Sequence, residues 1–247
     1  MKLQVLGSSS FGNCYILSND SEALILEAGV NFKLVKQALN FNLRKAVGCV
    51  VTHEHGDHSQ FMSDFLKAGI KVYTGRKTHE TCHTDRHHNA VMISNNQLVE
   101  IGSFKVLPFD VQHDAAEPYG FIINHPEMGN MLFITDTYYV KNTFSNIHNI
   151  LIEANYSQKI IKQKQADGYL DPHLKNRIIE SHMSLETCLD FLKANDLSAV
   201  NNIVLIHLSN GNSHAVDFKA AVSELTGKTV HVADVGTTIE NFNKTPF

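Results

Sequence analysis

The sequence predicts an α/β fold made of two halves packed sheet to sheet. Three observations carry this prediction. Short apolar runs with strand character recur from Leu3 to Val232. Segments with helical apolar spacing fall between them. The order passes through strands and then helices twice, with no solenoid-length repeat and no low-complexity segment.

Leu3 to Leu6 reads as the first strand, Cys14 to Leu17 as the second and Ala23 to Leu26 as the third. The polar turn from Gly7 to Asn13 makes them an antiparallel meander. A serine-rich turn can also cradle phosphate through its backbone N–H groups, so both readings of that turn stay open. Glu27-Ala28-Gly29 ends the third strand. Phe32 to Phe41 has helical spacing, with Leu34, Val35, Ala38 and Leu39 on its apolar face. The apolar run from Ala46 to Val51 reads as a buried strand. Phe61, Phe65 and Leu66 suggest a helix, and Lys71 to Thr74 a short strand. Between Lys77 and Asn89, His79, His83 and His87 recur at i, i+4 and i+8, with His88 alongside. On a helix this lines three imidazoles along one face. A solvated helix face is the favoured reading, because no carboxylate or cysteine completes a ligand set. A rim touching an anionic substrate or a further metal is the alternative.

The middle of the chain is strand-rich: Val91 to Ile93, Leu98 to Ile101, Phe104 to Phe109, Phe121 to Asn124 and Met131 to Thr135. His113 lies just beyond one of these strands and Asp136 at the end of another. Loops at strand ends are where a sheet scaffold presents catalytic groups. Asn149 to Ile152 is a further strand, ending in Glu153-Ala154-Asn155. A base-rich stretch follows, with Lys159, Lys162, Lys164, Lys175 and Arg177 against Asp167 and Asp171. Ser184 is placed to cap a helix whose apolar stripe is Leu185, Cys188, Leu189 and Leu192. Asn202 to Ile206 is a strand delivering His207, Val216 to Leu225 a helix, and Thr229 to Val232 a final strand.

The 247 residues fit one large domain or two fused halves. A net charge of -4 excludes a basic nucleic-acid binder overall, so polyanion binding must come from a local patch or from metals. Fifteen histidines are an excess that fits metal ligation or pH-sensitive chemistry. Cys14, Cys49, Cys82 and Cys188 form no CxxC pair, which favours a reduced, intracellular protein. The N-terminus enters a strand at once, without a signal pattern. No apolar run approaches the roughly 20 residues that span a bilayer. The expected location is the cytoplasm.

Thr52-His53-Glu54-His55-Gly56-Asp57-His58 is the stretch the chemistry centres on. Three histidines and an aspartate within six residues mark a metal site. The strand before it can aim His53 and His55 at one point, and the turn can direct Asp57 and His58 toward a second. Imidazole with carboxylate suits zinc, manganese or iron. Serine-nucleophile chemistry is set aside, since Ser8 to Ser10 lacks a free His-Asp partner. No Gly-Lys-Ser/Thr follows the Gly7 to Gly12 turn, so it is no P-loop either.

His-x-His-x-Asp-His followed by a later His, Asp and His, each at a strand end, resembles the metallo-β-lactamase superfamily over almost the whole chain. The resemblance implies a four-layer αββα sandwich, a single domain over residues 1–247, and a dinuclear site at one edge of the sheets. It implies that His53, His55 and His113 hold the first divalent ion, Zn²⁺ or Mn²⁺ with iron also compatible. Asp57, His58 and His207 would hold the second, and Asp136 would bridge the two. Glu27 stands where the family has an aspartate supporting the histidine loop, which implies a longer reach to that loop and not a lost site. Gly7 to Cys14, His113 to Pro118, Glu153-Ala154-Asn155, Leu174 to Ile178, Ser181 to Ser184 and His207-Leu208-Ser209 look like the YycJ/VicX group. That group comprises bacterial and phage hydrolases related to tRNase Z and regarded as DNA exonucleases. Ser181 departs from it, glycine being usual there.

In tRNase Z-like enzymes a glutamate just after a strand orients a histidine that acts as general acid. Glu153 and His182 match that arrangement. With Asp57 they are the catalytic candidates, His182 protonating the leaving oxygen. A helix-entry residue satisfying backbone groups is the plain alternative for His182. The base-rich stretch lies between the two and would touch backbone phosphates if held near the site, or serve as a solvated connector. The expected function is a dinuclear metal-dependent phosphodiesterase, specifically an exonuclease on DNA. Its rivals are a small-molecule hydrolase (cyclic phosphodiesterase, lactonase or thioesterase), an RNase Z-like ribonuclease, and a metal-stabilised binding module. No long glycine-rich tRNA-clamping arm is present, which weakens the ribonuclease.

Overall fold

A computed structural model describes residues 1–245. One seven-stranded sheet holds β1 (Lys2–Ser9), β2 (Gly12–Ser18), β3 (Ala23–Leu26), β4 (Ala46–Val50), β5 (Val72–Gly75) and β6 (Ala90–Ile93) in that order. The second holds β7 (Val99–Ile101), β8 (Phe104–Asp110), β9 (Tyr119–His125), β10 (Gly129–Ile134), β11 (Asn149–Glu153), β12 (Asn202–Ile206) and β13 (Thr229–Val232), again in chain order. The two-residue β14 (Thr238–Ile239) returns to pair with β1 and was not legible as a strand. In each sheet antiparallel pairs give way to parallel ones, at β3 to β4 and at β10 to β11.

Parallel strands need crossovers, and everywhere except between β10 and β11, where residues 135–148 cross without one, helices supply them. On the first half these are α1 (Phe32–Ala38), α2 (Gly56–Ser59), α3 (Met62–Lys67) and α4 (Arg76–Thr81). On the second they are α5 (Gln158–Ala166), α6 (Pro172–Ser181), α7 (Leu185–Ala194) and α8 (Ala215–Thr226). The period-2 alternation of strand side chains divides the core into layers. Tyr15, Leu17, Leu24 and Leu26 meet Phe104, Phe121, Phe133 and Val204 between the sheets. Cys14, Ile16, Ile25 and Cys49 face outward onto Val35 and Phe65. Leu132, Ile152 and Leu205 face outward onto Cys188, Leu192 and Phe218. This is the expected αββα sandwich.

Two expectations are corrected. Leu34 is exposed, although Val35 and Leu39 of the same segment are buried. The histidine row is not a helical face. α4 stops at Thr81, and His83 takes a left-handed backbone. His79 is then a buried core residue, held by Thr84 Oγ1 at 2.8 Å and the Val72 carbonyl at 3.2 Å. The base-rich stretch, for which no secondary structure was expected, is helical and largely solvent-facing. It forms α5 and α6, capped by Ser157 and Asp171. Its apolar positions are sparse, and only Ile161 of α5 is buried, which hid the helical period.

Candidate metal centre

The site lies where chain leaves the C-terminal ends of strands. Glu27 follows β3 directly, Asp136 lies two residues beyond β10, and His207 follows β12 directly. All three take positive φ, at 67°, 44° and 54°. L residues seldom adopt that conformation without a surrounding structure that imposes it. Here it turns the chain off the sheet at once and points each side chain along the sheet edge. The His53 loop is fastened to β3 by backbone bonds, from Ala28 N–H to the His58 carbonyl at 2.8 Å and from Phe61 N–H to the Ala28 carbonyl at 3.0 Å.

Two donor sets converge. His53, His55, His113 and Asp136 each offer a ligand atom, all within 4.8 Å of one another, and Asp57, His58, Asp136 and His207 do the same. In the first set His55 Nδ1 and His113 Nε2 are 3.0 Å apart. Asp136 Oδ2 lies 3.6 Å from His53 Nε2 and 3.7 Å from His113 Nε2. In the second, Asp57 Oδ2 lies 3.3 Å from His58 Nε2 and 3.1 Å from His207 Nε2, and Asp136 Oδ2 lies 3.3 Å from His58 Nε2. A tetrahedral ion with bonds of about 2.0–2.1 Å needs donors separated by roughly 3.3 Å. The donors are spaced to suit such ions. His53 Nε2, buried and without a hydrogen-bond partner, faces the first set. The donors present therefore fit metal, and the sequence-named residues His53, His55, Asp57, His58, His113, Asp136 and His207 all meet here.

The opposite nitrogens of three rings are held from behind by hydrogen bonds, as ligand imidazoles require. His53 Nδ1 meets Thr52 Oγ1 at 2.9 Å, and His113 Nδ1 meets the Ser181 carbonyl at 3.0 Å. His207 Nδ1 is 3.1 Å from Glu153 Oε1. His58 Nδ1 is 3.5 Å from Glu27 Oε1, long for a hydrogen bond. The other Glu27 oxygen accepts from Thr52 N–H at 3.2 Å, so Glu27 supports the loop as expected. Burial lowers the proton affinity of His53 and His113, keeping them neutral as a ligand must be. Burial also opposes charge on His58 and His207, but Asp136 and the other carboxylates outweigh it and draw protons on. A cation in the second set would take over that balancing charge.

A third set, Asp136, Glu153, His182 and His207, also brings donor atoms within 4.8 Å of one another. Its short contacts are hydrogen bonds. Glu153 Oε1 sits 2.7 Å from His182 Nδ1, and Glu153 Oε2 accepts from Met183 N–H at 3.1 Å. Burial would hold His182 neutral, but Glu153 raises its proton affinity above the ordinary histidine value. A cavity of about 300 Å³ opens onto His55, Asp57, His113, Asp136, His182 and His207.

Several residues of this centre were not assigned roles from sequence. Ser8 Oγ accepts from His207 N–H at 2.9 Å. Asn13 donates to Asp57 Oδ2 at 3.2 Å, and Asn155 to the His207 carbonyl at 2.8 Å. The serine-rich turn is thus a hairpin that braces the centre. Ser8, Asn13 and Asn155 all lie in the stretches that carried the YycJ/VicX resemblance, which was the available signal.

Residues 24–208 match the family model described as "Beta-lactamase superfamily domain". The chain belongs to this family. It is a hydrolase of the metallo-β-lactamase fold, as the sequence pattern led us to expect. It is 28% identical over 228 residues to exodeoxyribonuclease WalJ of Streptococcus pneumoniae, covering 86% of this chain and 83% of that protein. It is 28% identical over 243 residues to exodeoxyribonuclease YycJ of Bacillus anthracis, covering 91% and 89%. The metallo-β-lactamase fold protein YhfI of Bacillus subtilis superposes with a TM-score of 0.72 at 13% identity, covering 97% and 99%. Among the described residues no helix is long and apolar enough to cross a membrane. The four cysteines are unpaired, and Cys14, Cys49 and Cys188 are buried.

Proposed function

We propose that the chain is a dinuclear metal-dependent phosphodiesterase, and within that class an exonuclease acting on DNA in the cytoplasm of a bacterial cell or phage-infected host. One contact carries the reading: His182 Nδ1 held at 2.7 Å by Glu153 Oε1, on the wall of the cavity that exposes the two donor sets. Simple lactam or thioester hydrolysis needs no such pair, whereas a phosphodiester leaving group needs a proton. The names of the two bacterial relatives support DNA as the substrate.

His53, His55, His113 and Asp136 would hold one divalent ion, and Asp57, His58, Asp136 and His207 the other. Zn²⁺ or Mn²⁺ suits both, and iron is compatible. Such ions supply a nucleophile from water near neutral pH and positive charge for the phosphoryl oxygens. The remaining steps belong to the side chains. Glu153 accepts the His182 Nδ1–H, which fixes the ring and leaves Nε2 as the atom that passes its proton to the leaving oxygen. Asn13 anchors the Asp57 carboxylate beside His207 Nε2, so that both would face the second ion.

A small-molecule phosphodiesterase is the second reading, favoured by the modest cavity, which lies at the low end for ligand pockets of about 300–1,000 Å³. Apo protein reloaded with Mn²⁺ or Zn²⁺ separates the two when given end-labelled DNA and RNA, bis-p-nitrophenyl phosphate, a thioester and a lactone. Shortening of DNA from its ends is the expected result. Turnover of the thioester or lactone alone would overturn phosphodiester chemistry. A His55→Ala protein cleaving as fast as the wild type would overturn the role of the metals. Metal bound without any turnover would make this a binding module.

A further inference from the structure

The five bases between Glu153 and His182 are not equivalent. Lys164 Nζ donates to the Gly211 carbonyl and Asn212 Oδ1, and Lys175 Nζ to Gln165 Oε1 at 2.7 Å. Lys159 and Lys162 line a separate surface depression with Glu186. Arg177 alone of the five lines the cavity of the metal centre, and its guanidinium makes no hydrogen bond or ion pair among the described residues. Ser10, at the tip of the β1–β2 hairpin, lines the same cavity from the other sheet's half of the fold. The next residue, Phe11, is 81% exposed. Tyr139, another exposed ring near the site, lines a different depression with Met183 and Phe191.

A free guanidinium at the cavity and an exposed aromatic ring one residue from its Ser10 wall are the two groups that grip a nucleotide, one through phosphate and one through the base. Of the candidate ligands that line the cavity, Asp136 and His207 are at most 3% exposed. A strand must enter the cavity to reach them, which a paired duplex end resists.

Resting on the phosphodiesterase reading, we propose that Arg177 and Phe11 hold the nucleotide next to the scissile phosphate. Arg177 binds its phosphate. Phe11 stacks on its base, which must be unpaired. The substrate is therefore a single strand or a frayed strand end.

The test uses metal-loaded protein and three DNA substrates: a single strand, a duplex with mismatched termini, and the same duplex with G·C termini. Bis-p-nitrophenyl phosphate, which has no neighbouring nucleotide, is the fourth substrate. Wild type should favour the first two DNAs. Phe11→Ala should raise KM on them on the order of ten-fold, erase the advantage of mismatched ends, and be rescued by Phe11→Trp. Arg177→Ala should raise KM and flatten the logarithmic salt dependence by about 0.7 for single strands. Lys162→Ala should do neither. Paired ends cleaved as fast as mismatched ones would overturn the proposal. So would losses of equal size on bis-p-nitrophenyl phosphate, or variants that match the wild type on DNA. A wild type inert on every phosphodiester would instead overturn the underlying reading.

Discussion

One carboxylate oxygen serves two histidines: Glu153 Oε1 lies 2.7 Å from His182 Nδ1 and 3.1 Å from His207 Nδ1. The candidate acid and a candidate ligand thus share a support. Removing His182 should leave the ligands in place, so His182→Ala is expected to lose about 10²- to 10⁴-fold in turnover with its metal content intact. Glu153→Gln should lose turnover and also weaken metal binding by about 10- to 100-fold. Metal analysis beside hydrolysis of bis-p-nitrophenyl phosphate checks both. Metal loss in His182→Ala would show that its role is structural.

Asp136 faces both donor sets, through contacts to His53 and His113 on one side and to His58 and His207 on the other. His113 belongs to the first set only. Asp136→Ala should therefore bind neither ion firmly, whereas His113→Ala should keep one. Equilibrium dialysis with metal quantification measures the difference. Equal stoichiometry in the two variants would argue against a shared carboxylate.

The histidine loop also depends on a close backbone approach. A Cβ on Gly29 would sit 1.7 Å from the Asp57 carbonyl oxygen and 2.7 Å from the Asn13 nitrogen. Neither backbone atom yields cheaply. Gly29→Ala should cost about 1–3 kcal/mol or more in unfolding free energy and lower metal affinity with it. Gly56, in the same loop, has nothing within 4 Å of its would-be Cβ, so Gly56→Ala should leave stability nearly unchanged. Urea titration of the two apo variants tests the contrast.

Legibility followed distance along the chain. His53, His55, Asp57 and His58 were plain because their spacing is local. His113, Asp136 and His207 each stand alone at a strand end and gained meaning only from the family pattern. Ser8, which braces His207 from 199 residues away, left no pattern of its own. His79 was misread because a left-handed residue at His83, invisible in apolar spacing, ends the helix early.

The acid limb of stability has a source far from the centre. Burial pushes the Glu22 carboxyl up, but the Ser103 N–H at 3.0 Å and His125 Nε2 at 3.2 Å outweigh it and hold the group below its ordinary range. A carboxyl with a depressed folded value stabilises the fold above its unfolded value, about 4.5, and that contribution is lost as pH falls through the folded value. Glu22→Gln keeps the shape and removes the charge. It should cost about 1.5–3 kcal/mol at pH 7, as a hydrogen bond to a charged group does. The gap in melting temperature between wild type and variant should then narrow as pH drops below 4.5. Thermal unfolding of both apo proteins at pH 7, 5 and 3.5 measures it, and a gap that stays constant would assign Glu22 a purely neutral, pH-independent role.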